Sequence, residues 1–177
     1  MTRAQVQRFY QALRGYRGYP ETALCLRLIA LTACRPGEAA DAEWEEFDFE
    51  DAVWDHISQL STQAIAVLKD LQHITGGGRY LFPYKSGKGF TTPNRLTYAM
   101  RDMNLERGTT PHCWRTTFST WANENGFRPD AIERQLAHVE SNKVRATYNK
   151  ALLLDQRRSL LQAWANYLSA TEHDGTE

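Results

Sequence analysis

A mainly α-helical domain with a small antiparallel β element in its middle is the fold class this sequence predicts. Three observations carry that reading. Apolar residues recur at helical spacing at both ends, as Val6, Phe9, Tyr10 and Leu13, and again as Leu153, Leu154, Leu160, Leu161, Trp164 and Leu168. Glycine and proline punctuate the chain between the helical stretches. One stretch, FDFEDAVW at 47–54, alternates in part and combines aromatics with Val, which predicts a short strand. At 177 residues and 42% hydrophobic, the chain is long enough for one domain with a real core.

The elements follow in order. Residues 3–14 form an amphipathic helix with Thr2 as its cap. Gly15 and Gly18 make a loop, and Pro20 opens a second helix, ETALCLRLIALTAC, apolar enough to be central. It stops before Arg35-Pro36-Gly37, and GEAADAEW is a further helix. After the strand at 47–54, DHISQL is one more short strand, and Ser61 caps the helix TQAIAVLKDLQ, which ends at Gly76-Gly77-Gly78. YLFP is a short buried segment, KSGKG a turn, and Thr92-Pro93 starts NRLTYAMRDM. Thr110 and Pro111 are the N-cap and first turn of a helix that Gly126 stops. Pro129-Asp130 opens AIERQLAHV, Ser141 or Asn142 caps the short helix KVRATYN, and the last helix runs over roughly 152–168. The expected organisation is a single domain over 1–170 and a polar, disordered tail over 171–177.

Composition excludes several classes of function. No apolar run reaches the roughly 18 residues that span a bilayer, and MTRAQVQRFY lacks the apolar centre of a secretory signal. A cytoplasmic protein without a membrane partner is expected. Cys25, Cys34 and Cys113 are odd in number and have no metal-ligand spacing, so no disulfide framework and no metal are expected. Cys34 and Cys113 adjoin Arg35 and His112; small buried residues are the favoured reading, a nucleophilic thiol the alternative. The 21 basic and 21 acidic residues balance, yet nine acids and no Lys or Arg fall between Pro36 and Asp55. Bases gather further on, at Arg128, Arg134, Lys143, Arg145, Lys150, Arg157 and Arg158, so a neutral chain can still present a basic groove.

The stretch from Thr110 to Tyr148 holds the chemistry. His112 and Arg115 are three apart and share one face of a helix. Near a helix N-terminus, with its free N–H groups and positive dipole end, they make a seat for a phosphate. Arg can grip two phosphate oxygens with its planar fork. His138 is a third candidate phosphate donor and Tyr148 a candidate nucleophile, while Arg35 sits at the rim of the central helix. Each has a structural alternative: a solvated HxxR face, a core histidine, a packing tyrosine, and an Arg35 that merely pairs with Glu38.

LTACRPGEAADAEWEEFDFE resembles the first arginine box of tyrosine recombinases, TPHCWRTTFSTWANENG resembles their HxxR box, and QLAHVESNKVRATYNK resembles the box of the second histidine and the nucleophilic tyrosine. The resemblance covers residues 20 to 168 and is closest to phage-type integrases of satellite phages and genomic islands. It implies a tyrosine recombinase catalytic-domain-like fold. It also implies catalytic roles for Arg35, His112, Arg115, His138 and Tyr148. Glu38 would orient Arg35 from behind. DNA strands would be cut and rejoined through a 3′-phosphotyrosyl link, with no metal or other cofactor. The implied partners are double-stranded DNA attachment sites, contacted by Lys143 and Arg145 among others. A tetramer of protomers on DNA and an accessory DNA-bending protein belong to the same expectation, as do N-terminal DNA-clamping domains outside this chain. The isolated domain would be monomeric and bind DNA weakly. The last helix either packs in its own domain or docks on a neighbour.

One departure stands out. The family carries a lysine on a β-hairpin after the first box, and WDHISQLS at 54–61 has no Lys and no room for a hairpin. The stretch is about a dozen residues short of the family pattern. Lys69, Lys85 and Lys88 do not fit the position. Either the hairpin is lost, which favours a weak or silent DNA-binding relative, or a mobile segment is absent between Asp55 and His56; the family-like flanks favour the second.

Overall fold

The N-terminal helix α1, Arg3–Arg14, begins where a reciprocal cap closes it. Thr2 Oγ1 accepts from the Gln5 amide while the Gln5 side chain accepts from the Thr2 amide, which satisfies two otherwise orphaned N–H groups. In this computed structural model, residues 1–55, 57–84, 89–136 and 143–174 are described, with the backbone alone for 143–152.

The second helix, α2, spans Pro20–Thr32 and runs through the core, with Cys25, Leu26, Leu28, Ile29 and Ala30 all fully buried. It ends at Ala33, whose φ of 51° is left-handed and whose N–H returns to the Ile29 carbonyl. A short helix α3, Pro36–Asp41, follows; it stops three residues before the expected end at Trp44, and residues 44–46 form a 3-10 turn instead.

The β element differs from the single strand expected over 47–54. β1 (Phe47–Asp48), β2 (Val53–Trp54) and β3 (Ser58–Gln59) form a three-stranded antiparallel sheet in sequence order. Asp48 Oδ1 accepts from the amides of Glu50 and Asp51, so the chain reverses where alternation alone reads as continuous. Trp54 pairs with Ser58 and Val53 with Gln59. The short strand expected within 55–60 is present as β3, and His56 lies outside the described residues. The buried segment YLFP is as expected: Leu81 and Phe82 are inaccessible, and the Leu81 amide donates to the Ala42 carbonyl.

Four further helices follow: α4 (Thr62–Thr75), capped by Ser61, then α5 (Pro93–Asp102), α6 (Cys113–Glu124) and α7 (Pro129–Leu136). The last, α8, is continuous from Lys143 to His173. It corrects two expectations, a separate short helix at 143–149 and a last helix confined to roughly 152–168. Thr171 is fully buried, Glu172 pairs with Arg27 at 2.8 Å, and Asp174 pairs with Arg3. Those arginines on α1 and α2 offset the cost of acids at a helix C-terminus. Residues 175–177 lie outside the described ones.

Trp164 of α8 is the hub of the core. It is fully buried, meets the rings of Trp114, Phe118, Trp121 and Tyr167, and donates from Nε1 to the Ala30 carbonyl at 2.8 Å. The core thus ties α8 and α6 to α2, whose C-terminal end carries the first candidate site residue.

Candidate active site

Arg35 follows the turn that ends α2 and is the N-cap of α3. Its Nη1 lies 3.0 Å from Glu38 Oε1, and its backbone amide donates to Glu38 Oε2 at 2.6 Å. The pairing with Glu38 expected from sequence is present, and it fixes the backbone as well as the side chain. Arg35 keeps about half of its side-chain surface exposed, at 51%.

Arg115 comes from the first turn of α6 and enters the gap between two helix C-termini. Nη1 donates to the Ala33 carbonyl at 2.8 Å, and Nη2 donates to the Leu136 carbonyl. These are carbonyls at the ends of α2 and α7, where partial negative charge accumulates and a cation is favoured. Burial, and then the Arg35 charge beside it, hold the Arg115 pKa below the usual arginine range; Glu38 and Cys34 oppose the shift. The two arginines therefore share one electrostatic environment.

His112 is the N-cap of α6 and exposed. Thr110 does not cap the helix as expected: the helix starts at Cys113, after a turn closed by the Cys113 amide on the Thr110 carbonyl at 3.0 Å. Pro111 is buried inside that turn rather than at a helical first position. The HxxR spacing still puts His112 and Arg115 about one turn apart at the start of α6.

His138 lies outside the described residues, as do His56, Lys85 and Lys88. Tyr148, Lys143 and Arg145 lie on the described backbone of α8, in its first two turns. Lys69 is exposed on α4. No lysine stands between Trp54 and Ser61. Among the described residues no group of His, Cys, Asp and Glu could hold a metal ion, and no helix is long and apolar enough to cross a membrane.

The acids that follow Arg35 gather on one side, where Glu38, Asp41, Glu43 and Glu46 line a hollow with Trp54 and Ile57. Burial raises the Asp41 pKa, and the Glu38 and Glu43 charges add to the rise.

Sequence reasoning missed Gln135, which is fully buried, and placed Arg157 only among the bases of a groove, whereas it is half-buried and hydrogen-bonded to Gln135. A signal was present. Gln135 interrupts the Ala131, Ile132 apolar face of α7, and Arg157 falls in the gap between Leu154 and Leu160 on the apolar stripe of α8. A polar residue at a core-facing position marks a buried hydrogen-bond network.

The cysteines resolve in favour of packing. Cys25 and Cys34 are fully buried, and burial pushes both thiols up, Cys34 to about 12. Cys113 is half-buried, with its Sγ 3.6 Å from the Gly108 carbonyl. An aromatic disulfide reagent at pH 8 is expected to titrate Cys113 alone in the native protein, and all three thiols after denaturation. Rapid native labelling of Cys34 would contradict this burial.

The sequence profile of the phage integrase family matches residues 1–153. The chain belongs to the phage integrase family. Curated relatives agree with that match. The prophage integrase IntA of Escherichia coli strain K12 is 36% identical over 159 residues, covering 80% of this chain and 37% of the relative. The integrase of enterobacteria phage P4 is 34% identical over 188 residues, with 90% and 43% covered. The prophage integrase IntZ of Escherichia coli strain K12 is 33% identical over 179 residues, with 94% and 44% covered. The chain thus spans about two-fifths of the length of these relatives. In the phage P4 alignment, 90% of this chain is only about 159 residues against 188 aligned, so that relative carries residues with no counterpart here. No solved structure matches the chain.

Proposed function

We propose that this chain is the catalytic part of a site-specific DNA recombinase that cuts and rejoins strands for integration or excision of a mobile element. The observation that carries the reading is the Arg115 guanidinium, clamped by the Ala33 and Leu136 carbonyls in the electrostatic field of Arg35. Two arginines held against their mutual repulsion suit a dianionic, pentavalent phosphate better than they suit each other. Arg35 and Arg115 hold the non-bridging oxygens, His112 and His138 donate to the phosphate, and Glu38 orients Arg35. The Tyr148 hydroxyl oxygen attacks phosphorus, its proton passing to a base such as His112. The bond to the 5′ oxygen breaks, a 3′-phosphotyrosyl bond forms, and the 5′ oxygen leaves as a hydroxyl after taking up a proton. The reverse attack by a 5′ hydroxyl rejoins a strand, so bond energy is conserved and neither ATP nor a metal is needed.

Double-stranded attachment-site DNA is the proposed partner, with Lys143 and Arg145 at the start of α8 on its phosphates. A tetramer of protomers on DNA, an accessory bending protein and a cytoplasmic location complete the reading. The test is a nicked attachment-site duplex incubated with the full-length protein. A detergent-resistant protein–DNA adduct mapping to Tyr148 is expected, and Tyr148→Phe is expected to abolish it while DNA binding stays within about twofold. An undiminished adduct from Tyr148→Phe would sink the assignment. Binding without any adduct would instead favour a silent DNA-binding relative, as the missing hairpin lysine would allow.

A further inference from the structure

Behind Arg115 lies a polar core that the proposed reaction does not use. Gln135 is fully buried on α7. Its Nε2 donates to the Thr32 carbonyl at 2.8 Å and to Ser58 Oγ at 3.0 Å. Its Oε1 accepts from Arg157 Nη2 at 2.9 Å and from Nε at 3.3 Å. Arg157 Nη2 also donates to the Ile57 carbonyl at 3.1 Å. The amide orientation follows from its partners. Arg157 can only donate, the Thr32 carbonyl can only accept, and the Ser58 hydroxyl proton is already given to the Gln59 carbonyl at 2.6 Å.

Two features make this more than packing. Among the described residues Arg157 has neutral acceptors and no carboxylate partner, although burial, with Arg134 nearby, pushes its pKa down to about 10. A half-buried cation met only by neutral acceptors costs stability. Further, the network runs beside Arg115. Gln135 ties Thr32 to α7, and one residue along both elements Arg115 ties Ala33 to Leu136. Two adjacent cross-links span one gap between α2 and α7.

We propose that Arg157 is a positioning residue for strand cleavage. It orients the Gln135 amide, which sets the α2–α7 spacing that the Arg115 guanidinium bridges. It also holds the Ile57 carbonyl, which locks the β2–β3 turn to α8, the helix that carries Tyr148. The inference rests on the proposed roles of Arg115 and Tyr148.

The test compares Arg157→Met and Arg157→Lys with wild type in the full-length protein. Met keeps the stem without donors, and Lys keeps charge without the planar fork that serves both acceptors. Hydrogen exchange of the free protein should accelerate about tenfold or more over 54–60 and 130–136, with α1 unchanged. Single-turnover adduct formation should fall about 10- to 100-fold, with DNA affinity within about twofold, because misplacement near 1 Å costs on this order. Unchanged exchange in both segments would overturn the proposal. Faster exchange with an unchanged cleavage rate would overturn the positioning role and leave a structural one. A rate loss matched by global acceleration of exchange would equally mean plain destabilisation. If wild type itself forms no adduct, the recombinase reading fails, and the exchange data still decide whether Arg157 orders the gap.

Discussion

Arg115→Ala is expected to lower the single-turnover rate of adduct formation by about 100- to 1000-fold, the range for removing one preorganised donor from a developing oxyanion. Arg115→Lys is expected to recover little of it. An ammonium cannot reach the Ala33 and Leu136 carbonyls together while presenting a planar fork to a phosphate. The stability effect should be smaller than the catalytic one, because two contributions oppose each other. Leaving two helix-terminal carbonyls without this donor costs on the order of 1–3 kcal/mol each where water cannot replace it. Removing a half-buried cation that sits beside Arg35 returns part of that cost. The pH dependence follows from the sign of the shift. A basic group whose folded pKa is lowered is penalised while charged. The penalty is constant at every pH below the folded pKa and is relieved only as pH rises through it toward the unfolded value. An arginine side chain stays charged throughout the neutral range, so the stability difference between wild type and Arg115→Ala should be flat between pH 6 and 9. Urea denaturation at three pH values checks this, and a slope across that range would mean that another titrating group depends on Arg115.

Trp164→Ala is expected to destabilise the protein by about 3–5 kcal/mol, the range for emptying a large aromatic site in a core. The ring is fully buried among Trp114, Phe118, Trp121 and Tyr167, whose helices also pack on one another, so the cavity cannot collapse freely. A second loss adds to it. The Cys34 amide turns to Thr32 Oγ1, so the Ala30 carbonyl near the end of α2 is met instead by Trp164 Nε1. Trp164→Phe separates the two effects: it keeps most of the ring volume and loses the hydrogen bond, for about 1–2 kcal/mol. Since domains of this size have only about 5–15 kcal/mol of stability, the alanine variant should lower the urea midpoint by about a fifth or more. Circular dichroism is the suitable readout, because the chain has 5 Trp residues and fluorescence would mix them. A change below about 1 kcal/mol for Trp164→Ala would contradict the role of this ring as the core hub.

The sequence by itself determined the elements whose signals are local. Thr2, Pro20, Ser61 and Pro93 each start a helix as expected, because a cap or a fixed proline φ acts within three or four residues. The ordered HxxR, histidine and tyrosine boxes with Arg35 pointed to the family that the comparisons then established, because residue types in fixed order survive in the one-dimensional record. Tertiary structure decided what depends on partners far along the chain. Asp48 folding back on Glu50 and Asp51 split one expected strand into a hairpin, since partial alternation fits either arrangement. Pairing of Glu172 with Arg27 and of Asp174 with Arg3, 145 and 171 positions away, accompanies a last helix that runs past its expected end near residue 168. Arg115 and Gln135 acquired their places only when the ends of α2 and α7 came together. A guanidinium chooses its acceptors by distance and angle in space, and the carbonyls that Arg115 reaches at residues 33 and 136 carry no mark in the sequence.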